Sequence, residues 1–424
     1  MVEREMKKLL IIYPHWIPCN LVGVQRARLT ANFLTDLGWQ PIILAVKPEY
    51  YEETLVPELE LTVDKRVKVY WTEAKKAPKH FRLFGDIALK AYRQLIDGAV
   101  EVIEKEKIDF IWTPLPSFYT SLVCRKVHDL TGVPYGLDYT DPWVHDFPGA
   151  RLGNRAWLAK RLAQLLEPVA VKKVSLLTGV SELSYSPVIQ RNPHLKGIVT
   201  GFMPLGFDPG DYEIELPDRK MMWEGSTDEL LPVIYAGAFL PQAHYYIDVL
   251  MQVLAELRGE NRLDQRLRFF FVGTGKGNLK TVADYAQKYG VSDIIQEKTE
   301  RISYLDVLHH LGRSYGVLAV GNIEPHYTAS KIFQTLLSGQ RVFPIFHRQS
   351  TVNEILRECR ADNFLVSYDD SMSERDFKNH FKSQLIRFLS ADEKWNPDLA
   401  YLDKYSAKQS AKILVELIEK ALEK

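Results

Sequence analysis

The strongest constraint on this chain is an alternation of short apolar runs with longer amphipathic stretches. Residues 9–13, 41–46, 68–71, 110–113 and 135–138 read as buried strands. Between them, segments 26–37, 86–105 and 117–130 carry apolar residues at helical spacing, the first stopping at Gly38. Strand runs that are apolar throughout, separated by helices, predict a parallel sheet covered on both faces. The pattern restarts after Pro204-Leu205-Gly206-Phe207-Asp208-Pro209-Gly210-Asp211. Strands are then expected at 232–235, 267–272, 316–320 and 342–345, with helices at 245–257, 279–289, 306–311 and 329–338. The prediction is an α/β fold of two doubly wound halves joined near residues 205–230. A length of 424 residues suits two domains. We place them at 1–205 and 206–394. The remainder, 395–424, is one helical pattern in which Ala411, Leu414, Val415, Ile418 and Leu422 recur at three and four.

Composition narrows the function classes. Lys plus Arg and Asp plus Glu stand at 54 each, so no overall positive field favours nucleic acid as a partner. The three cysteines, Cys19, Cys124 and Cys359, are far apart and lack metal spacing, which fits a reducing compartment. No Asp-x-Asp, His-Glu-x-x-His or Cys-x-x-Cys occurs, so neither a metal nor a cofactor is expected. The apolar run at 9–12 is too short for a secretion signal, and Pro14 follows it. A cytoplasmic chain is expected, free or resting on the inner face of a membrane. Two basic amphipathic stretches, 75–82 and 151–173, fit either a solvated helix face or contact with anionic lipid headgroups.

Candidate binding residues cluster after strands, where open parallel sheets hold ligands. Gly23 and Arg26 follow the first strand. Glycine lets backbone approach a phosphate, and Arg26 would sit in a helix's first turn, where the dipole disfavours a cation unless an anion is bound. The alternative is a solvent-facing Arg. Asp138 and Asp141 follow a later strand, and two carboxylates there can orient a hydroxyl or stabilise developing positive charge. Equally, Asp141 could cap a helix with Pro142 at its first position. Gly273 and Gly275 lie between a strand and a helix, as a ligand loop or a plain turn, and Gly237 ends another strand. The most informative run holds Glu324, Tyr327, Ser330, Lys331 and Gln334. Ser330 is expected to cap a helix, and Lys331 is again a cation in a first turn, a penalty that a bound diphosphate would reverse.

Several of these motifs, in this order, resemble family 4 glycosyltransferases, in the branch common in bacterial surface-polysaccharide clusters. Gly23-Val24-Gln25-Arg26 with Leu37-Gly38-Trp39-Gln40-Pro41 resembles that branch's opening. Asp138-Tyr139-Thr140-Asp141-Pro142-Trp143 is similar to its Asp-x-x-Asp-Pro-Trp element. Thr178-Gly179-Val180-Ser181, Gly206-Phe207-Asp208, Tyr235-Ala236-Gly237, Phe271-Val272-Gly273-Thr274-Gly275 and Ser330-Lys331-Ile332-Phe333 follow in register. The resemblance implies a GT-B fold: two Rossmann-like domains facing a cleft, with a C-terminal helix crossing back onto the N-terminal one. It also implies retaining, metal-independent transfer from a nucleoside-diphosphate sugar to a saccharide or lipid-linked acceptor. Gly237, Gly273, Gly275 and Lys331 would surround the nucleotide and diphosphate, Glu324 would face sugar hydroxyls, and Gly23 and Arg26 would reach phosphate or acceptor. The chain departs from the family at Ile332, Gln334 and Leu205, and Thr140 stands where many members have His. A non-catalytic subunit and a nucleotide-sugar epimerase are the alternatives on the same fold.

Overall fold

The structure, a computed structural model, describes residues 6–75, 86–115, 117–145, 151–225, 229–239, 243–275, 280–321, 330–391 and 395–424. The chain divides into two compact units, Met1–Asp208 with Tyr405–Lys424, and Pro209–Lys404.

The first unit is built on seven strands: β1 (Lys7–Ile12), β2 (Trp39–Val46), β3 (Lys68–Thr72), β4 (Phe110–Leu115), β5 (Tyr135–Tyr139), β6 (Leu176–Gly179) and β7 (Val199–Phe202). They pair in parallel in the order β3-β2-β1-β4-β5-β6-β7. The apolar runs are continuous because both faces of the central strands are covered. Leu9, Leu10, Ile11 and Ile12 are all completely buried, and each such side chain contributes about 1.5–3 kcal/mol. The second unit has six parallel strands: β8 (Leu231–Ala236), β9 (Leu267–Val272), β10 (Ile295–Lys298), β11 (Gly316–Val320), β12 (Arg341–His347) and β13 (Val366–Tyr368). Their order is β10-β9-β8-β11-β12-β13. Each unit has its own apolar core. The two doubly wound halves are therefore as expected. Several elements and limits differ. Strands β6, β7, β10 and β13 had no counterpart in the apolar pattern, nor did the helices Glu182–Arg191, Thr351–Glu358 and Glu374–Ser390. The first helix, Val22–Leu34, begins four residues earlier than predicted, so Gly23 lies within its first turn.

The terminal helix also starts late. Residues 399–405 form a 3-10 segment, and the regular helix, Ala407–Leu422, begins after Ser406, whose hydroxyl accepts from the Gln409 amide at 3.1 Å. This helix packs on the first one and on β7. Its docking uses the glycines of the connecting segment. Gly206 has φ +90° and a Cβ there would lie 3.1 Å from Ala407 Cα, so neither the conformation nor the space suits a side chain. The Ala407 amide donates to the Phe207 carbonyl at 2.9 Å, and the Ser410 hydroxyl to the Pro204 carbonyl at 2.7 Å.

Candidate functional site

In each sheet the strand order reverses once, between β1 and β4 and between β8 and β11. At such a switch point the following loops turn to opposite faces and leave a crevice at the carboxyl ends. Candidate residues gather at both.

At the first reversal, a solvent-open pocket of about 190 Å³ is lined by Tyr13 just past β1, Ser117 past β4, and His15, Glu53, Asp86 and Lys90. His15 is held at 3.1 Å from the Glu53 carboxylate. Burial lowers its pKa, and Glu53 opposes that effect, so the ring is neutral near pH 7. Asp86 caps the helix Ile87–Lys90 through the Ala88 amide at 2.7 Å and accepts from the Ser117 hydroxyl at 3.3 Å. Burial raises its pKa. The Tyr13 hydroxyl, on a residue 1% exposed, has no hydrogen-bond partner among the described residues. This polar pocket suits a hydroxyl-rich ligand: a carboxylate, a neutral imidazole and hydroxyls can each exchange hydrogen bonds with it. Sequence reasoning missed it because its members come from separate loops with no shared motif.

Arg26 and Asp138 meet, but inside the unit. Asp138 lies within β5 and is fully buried, and Arg26 is 2% exposed. The guanidinium grips the carboxylate with a fork, Nε to Oδ2 at 2.8 Å and Nη2 to Oδ1 at 3.0 Å. It also donates to the carbonyls of Met203, at 3.2 Å, and Pro204. The Thr178 hydroxyl donates to Asp138 at 2.7 Å. The helix begins at Val22, so Arg26 is its fifth residue and lies past the first turn; the expected dipole penalty does not arise, and its anion is Asp138. Because the Pro204 carbonyl accepts from both Arg26 and Ser410, the pair ties the first helix, β5 and the terminal helix together. Asp141 is exposed in a bend. It does not cap a helix with Pro142: residues 140–145 are non-helical, and the next helix among the described residues, Arg155–Ala170, takes Asn154 as its cap. Trp143 is buried and stacks on Phe118, with centroids 5.6 Å apart and planes 1° from parallel. Gly23 lies at a helix start that has neither a capping side chain nor a first-turn acid.

At the second reversal, Gly237 just past β8 and Lys331 after β11 are in contact. A Cβ on Gly237 would overlap the Lys331 ammonium and lie 3.3 Å from its Cε. Glycine is therefore what lets the ammonium rest at the strand end. Lys331 is exposed to solvent. Partial desolvation still lowers its pKa, and the nearby Arg301 lowers it further. Neither cation has a carboxylate partner among the described residues. Arg301, in the loop after β10, stands beside Gly273, with its Cα 3.9 Å from where a Gly273 Cβ would be. Two cations and two glycines from four chain segments thus share one end of the sheet, a place for a multiply charged anion.

The glycines do not serve as amide donors here. Gly237 N–H is bound to the Val272 carbonyl at 2.8 Å, Gly273 N–H to Lys298 at 2.8 Å and Gly275 N–H to Thr299 at 3.0 Å. Their contribution is the missing side chain and, at Gly273 and Gly275, the left-handed φ of +73° and +92°. Ser330 does not cap: it has helical φ and ψ, and its side chain makes no capping bond to the helix Lys331–Leu337. Gln334 is half-buried, and its backbone carbonyl accepts from the Tyr212 hydroxyl at 2.5 Å. Glu324 and Tyr327 lie outside the described residues.

No family model matches the chain, and no curated protein matches it by sequence. Solved structures do resemble it over nearly its whole length. A glycosyltransferase from Rickettsia africae ESF-5 superposes with a TM-score of 0.58 at 15% identity, covering 98% of both chains. Sucrose-phosphate synthase from Thermosynechococcus elongatus gives 0.59 at 13% identity, again over 98% of both. Anabaena Alr3699/HepE, in complex with UDP-glucose, gives 0.58 at 12% identity over 97% of this chain and 99% of the other. Identity this low speaks for architecture alone. Two parallel Rossmann-like sheets with a terminal helix returned to the first of them, matched end to end by these proteins, give this chain the GT-B fold.

Proposed function

We propose that the chain is a glycosyltransferase that takes its sugar from a nucleoside-diphosphate donor held on the second unit. The acceptor, a saccharide, free or lipid-linked, is held on the first. The observation that carries this reading is the meeting of Lys331, Arg301 and Gly237 at one strand end, two cations with no carboxylate partner among the described residues. Loss of a nucleoside diphosphate puts negative charge on the leaving group, and fixed cations there stabilise it without a metal. Arg301 supplies the second charge. On the first unit, the pocket around His15 and Asp86 receives acceptor hydroxyls. Arg26 and Asp138 act through the fold rather than on substrate, while the exposed Asp141 keeps the role of a carboxylate toward the sugar. Retention of configuration and a place in surface-glycan synthesis rest on the motif resemblance.

Calorimetric titration with the diphosphates of uridine, guanosine and thymidine, alone and as sugar conjugates, tests the reading. UDP-glucose comes first because HepE holds it. Binding by one base class, lost in a Lys331→Ala, Arg301→Ala double variant, supports the proposal. Absence of binding by all of them sinks it. Change of the nucleotide's own sugar without acceptor would make the chain an epimerase instead.

Gly237→Ala is a sharper probe. The overlapping atom is the free end of a flexible side chain, so the thermal midpoint should not change. Displacing the ammonium should nevertheless weaken diphosphate binding about tenfold, the scale of one charge-assisted hydrogen bond. Unaltered affinity would remove Lys331 from the site.

A further inference from the structure

We propose that the helix Arg155–Ala170 lies on the surface of an anionic lipid bilayer with an apolar stripe turned into it. The inference stands on this helix alone and does not depend on the transfer reaction. The helix is attached to its unit by Ala163, Glu167 and Ala170, which are buried. Leu158, Leu162, Leu165 and Val169 recur at four, three and four residues, and they are exposed by 42–70%. At 3.6 residues per turn these four form one stripe, on the side roughly opposite the buried residues. Leu152, just before the helix, is exposed by 86%. Among the described residues of the unit, nothing buries this apolar stripe.

The charges say what covers it. Residues 151–173 contain six cations, Arg151, Arg155, Lys160, Arg161, Lys172 and Lys173, and one acid. That acid, Glu167, is buried and paired with Arg191 at 2.7 Å. Arg155 and Arg161 flank the stripe, about 60° to either side. Arg161 also lies 5.3 Å from the Trp157 ring, an aromatic of the kind favoured at a headgroup boundary. A basic rim around exposed leucines, with its sole acid sequestered, matches an interfacial helix on anionic lipid. A second copy of the chain fits poorly, because face-to-face pairing would oppose two sets of like charges.

The test is co-sedimentation of the full chain with phosphatidylcholine vesicles, with and without phosphatidylglycerol. The wild type should bind the anionic vesicles and not the neutral ones, and added salt should weaken it. Arg155→Gln with Arg161→Gln should lower partitioning about twenty-five-fold, or fivefold per cation. Leu162→Gln with Leu165→Gln should lower it at least about tenfold while the charge is kept. All four side chains are exposed, so thermal midpoints should be unchanged in both variants. Equal binding to neutral vesicles, no binding, or binding indifferent to the leucine variant would overturn the proposal. So would self-association, measured by sedimentation velocity, that disappears with the leucines, or capture of an acidic protein without any affinity for vesicles.

Discussion

Arg26→Ala is expected to destabilise the first unit by about 3–5 kcal/mol, the cost of leaving one member of a buried ion pair alone. The carboxylate of Asp138 would remain fully buried with only the Thr178 hydroxyl as a partner among the described residues. The Met203 carbonyl would lose its Arg26 donor, and the Pro204 carbonyl would keep only Ser410. Arg26→Lys retains the charge but cannot span both carboxylate oxygens and both carbonyls, so an intermediate loss of about 1–2 kcal/mol is expected. Removing both charges at once, as Arg26→Met with Asp138→Leu, should recover much of the stability, because no charge is then stranded. The loss should appear first where the pair's bonds converge. Amide exchange across Ala407–Leu422 should quicken in Arg26→Ala before the central strands respond, since the terminal helix shares the Pro204 acceptor. Urea unfolding and hydrogen exchange check these outcomes. An Arg26→Ala protein with wild-type stability and no diphosphate binding would return Arg26 to the role of an anion clamp, as expected from the sequence.

The fold was legible wherever hydrophobicity alone decides structure. Central strands such as β1, β4 and β9 are covered on both faces, so their residues are apolar throughout and announce themselves. β10, with sequence Ile-Gln-Glu-Lys and alternating burial, lies at an edge and is too short and polar to be read as a buried run. Missing β10 also hid Arg301, which is significant only as the residue past a strand end. The pairing of Gly237 with Lys331 was foreshadowed by the order of motifs, because the sheet reversal brings the ends of β8 and β11 together. The partnership of Arg26 with Asp138 was not. In the sequence, a charge at a strand end or near a helix start reads the same whether its partner is a ligand or the protein. Only the bidentate geometry distinguishes them. Ser330 and Asp141 are a further caution, since residue types that favour helix starts made no cap in either place.

Lys331→Ala is expected to lower kcat/KM for transfer about 100- to 1,000-fold, the scale of losing one preorganised charge beside a leaving group. Stability should move the opposite way or not at all. The ammonium is partly desolvated, faces Arg301 and has no acid to satisfy among the described residues, so the fold loses no favourable pair with it. A side chain whose removal spares the fold and cripples turnover is there for a ligand. Arg301→Ala should act in the same direction, and the double variant should cost less than the sum, because two cations holding one diphosphate are coupled. Acidity gives an independent check. In the free protein the Lys331 pKa lies below its ordinary 10.5. A bound diphosphate raises it, since the ammonium gains an anion. Below the free-state pKa the side chain is charged before and after binding, and affinity is flat with pH. Above it, binding must take up a proton, so affinity falls as pH rises through that value and levels off only above the pKa of the complex. Calorimetry in buffers of different ionisation enthalpy should record the proton uptake on the alkaline side. Lys331→Arg, which stays protonated across the range, should abolish both the uptake and the alkaline fall. A pH profile identical in wild type and Lys331→Arg would show that this ammonium does not meet the anion.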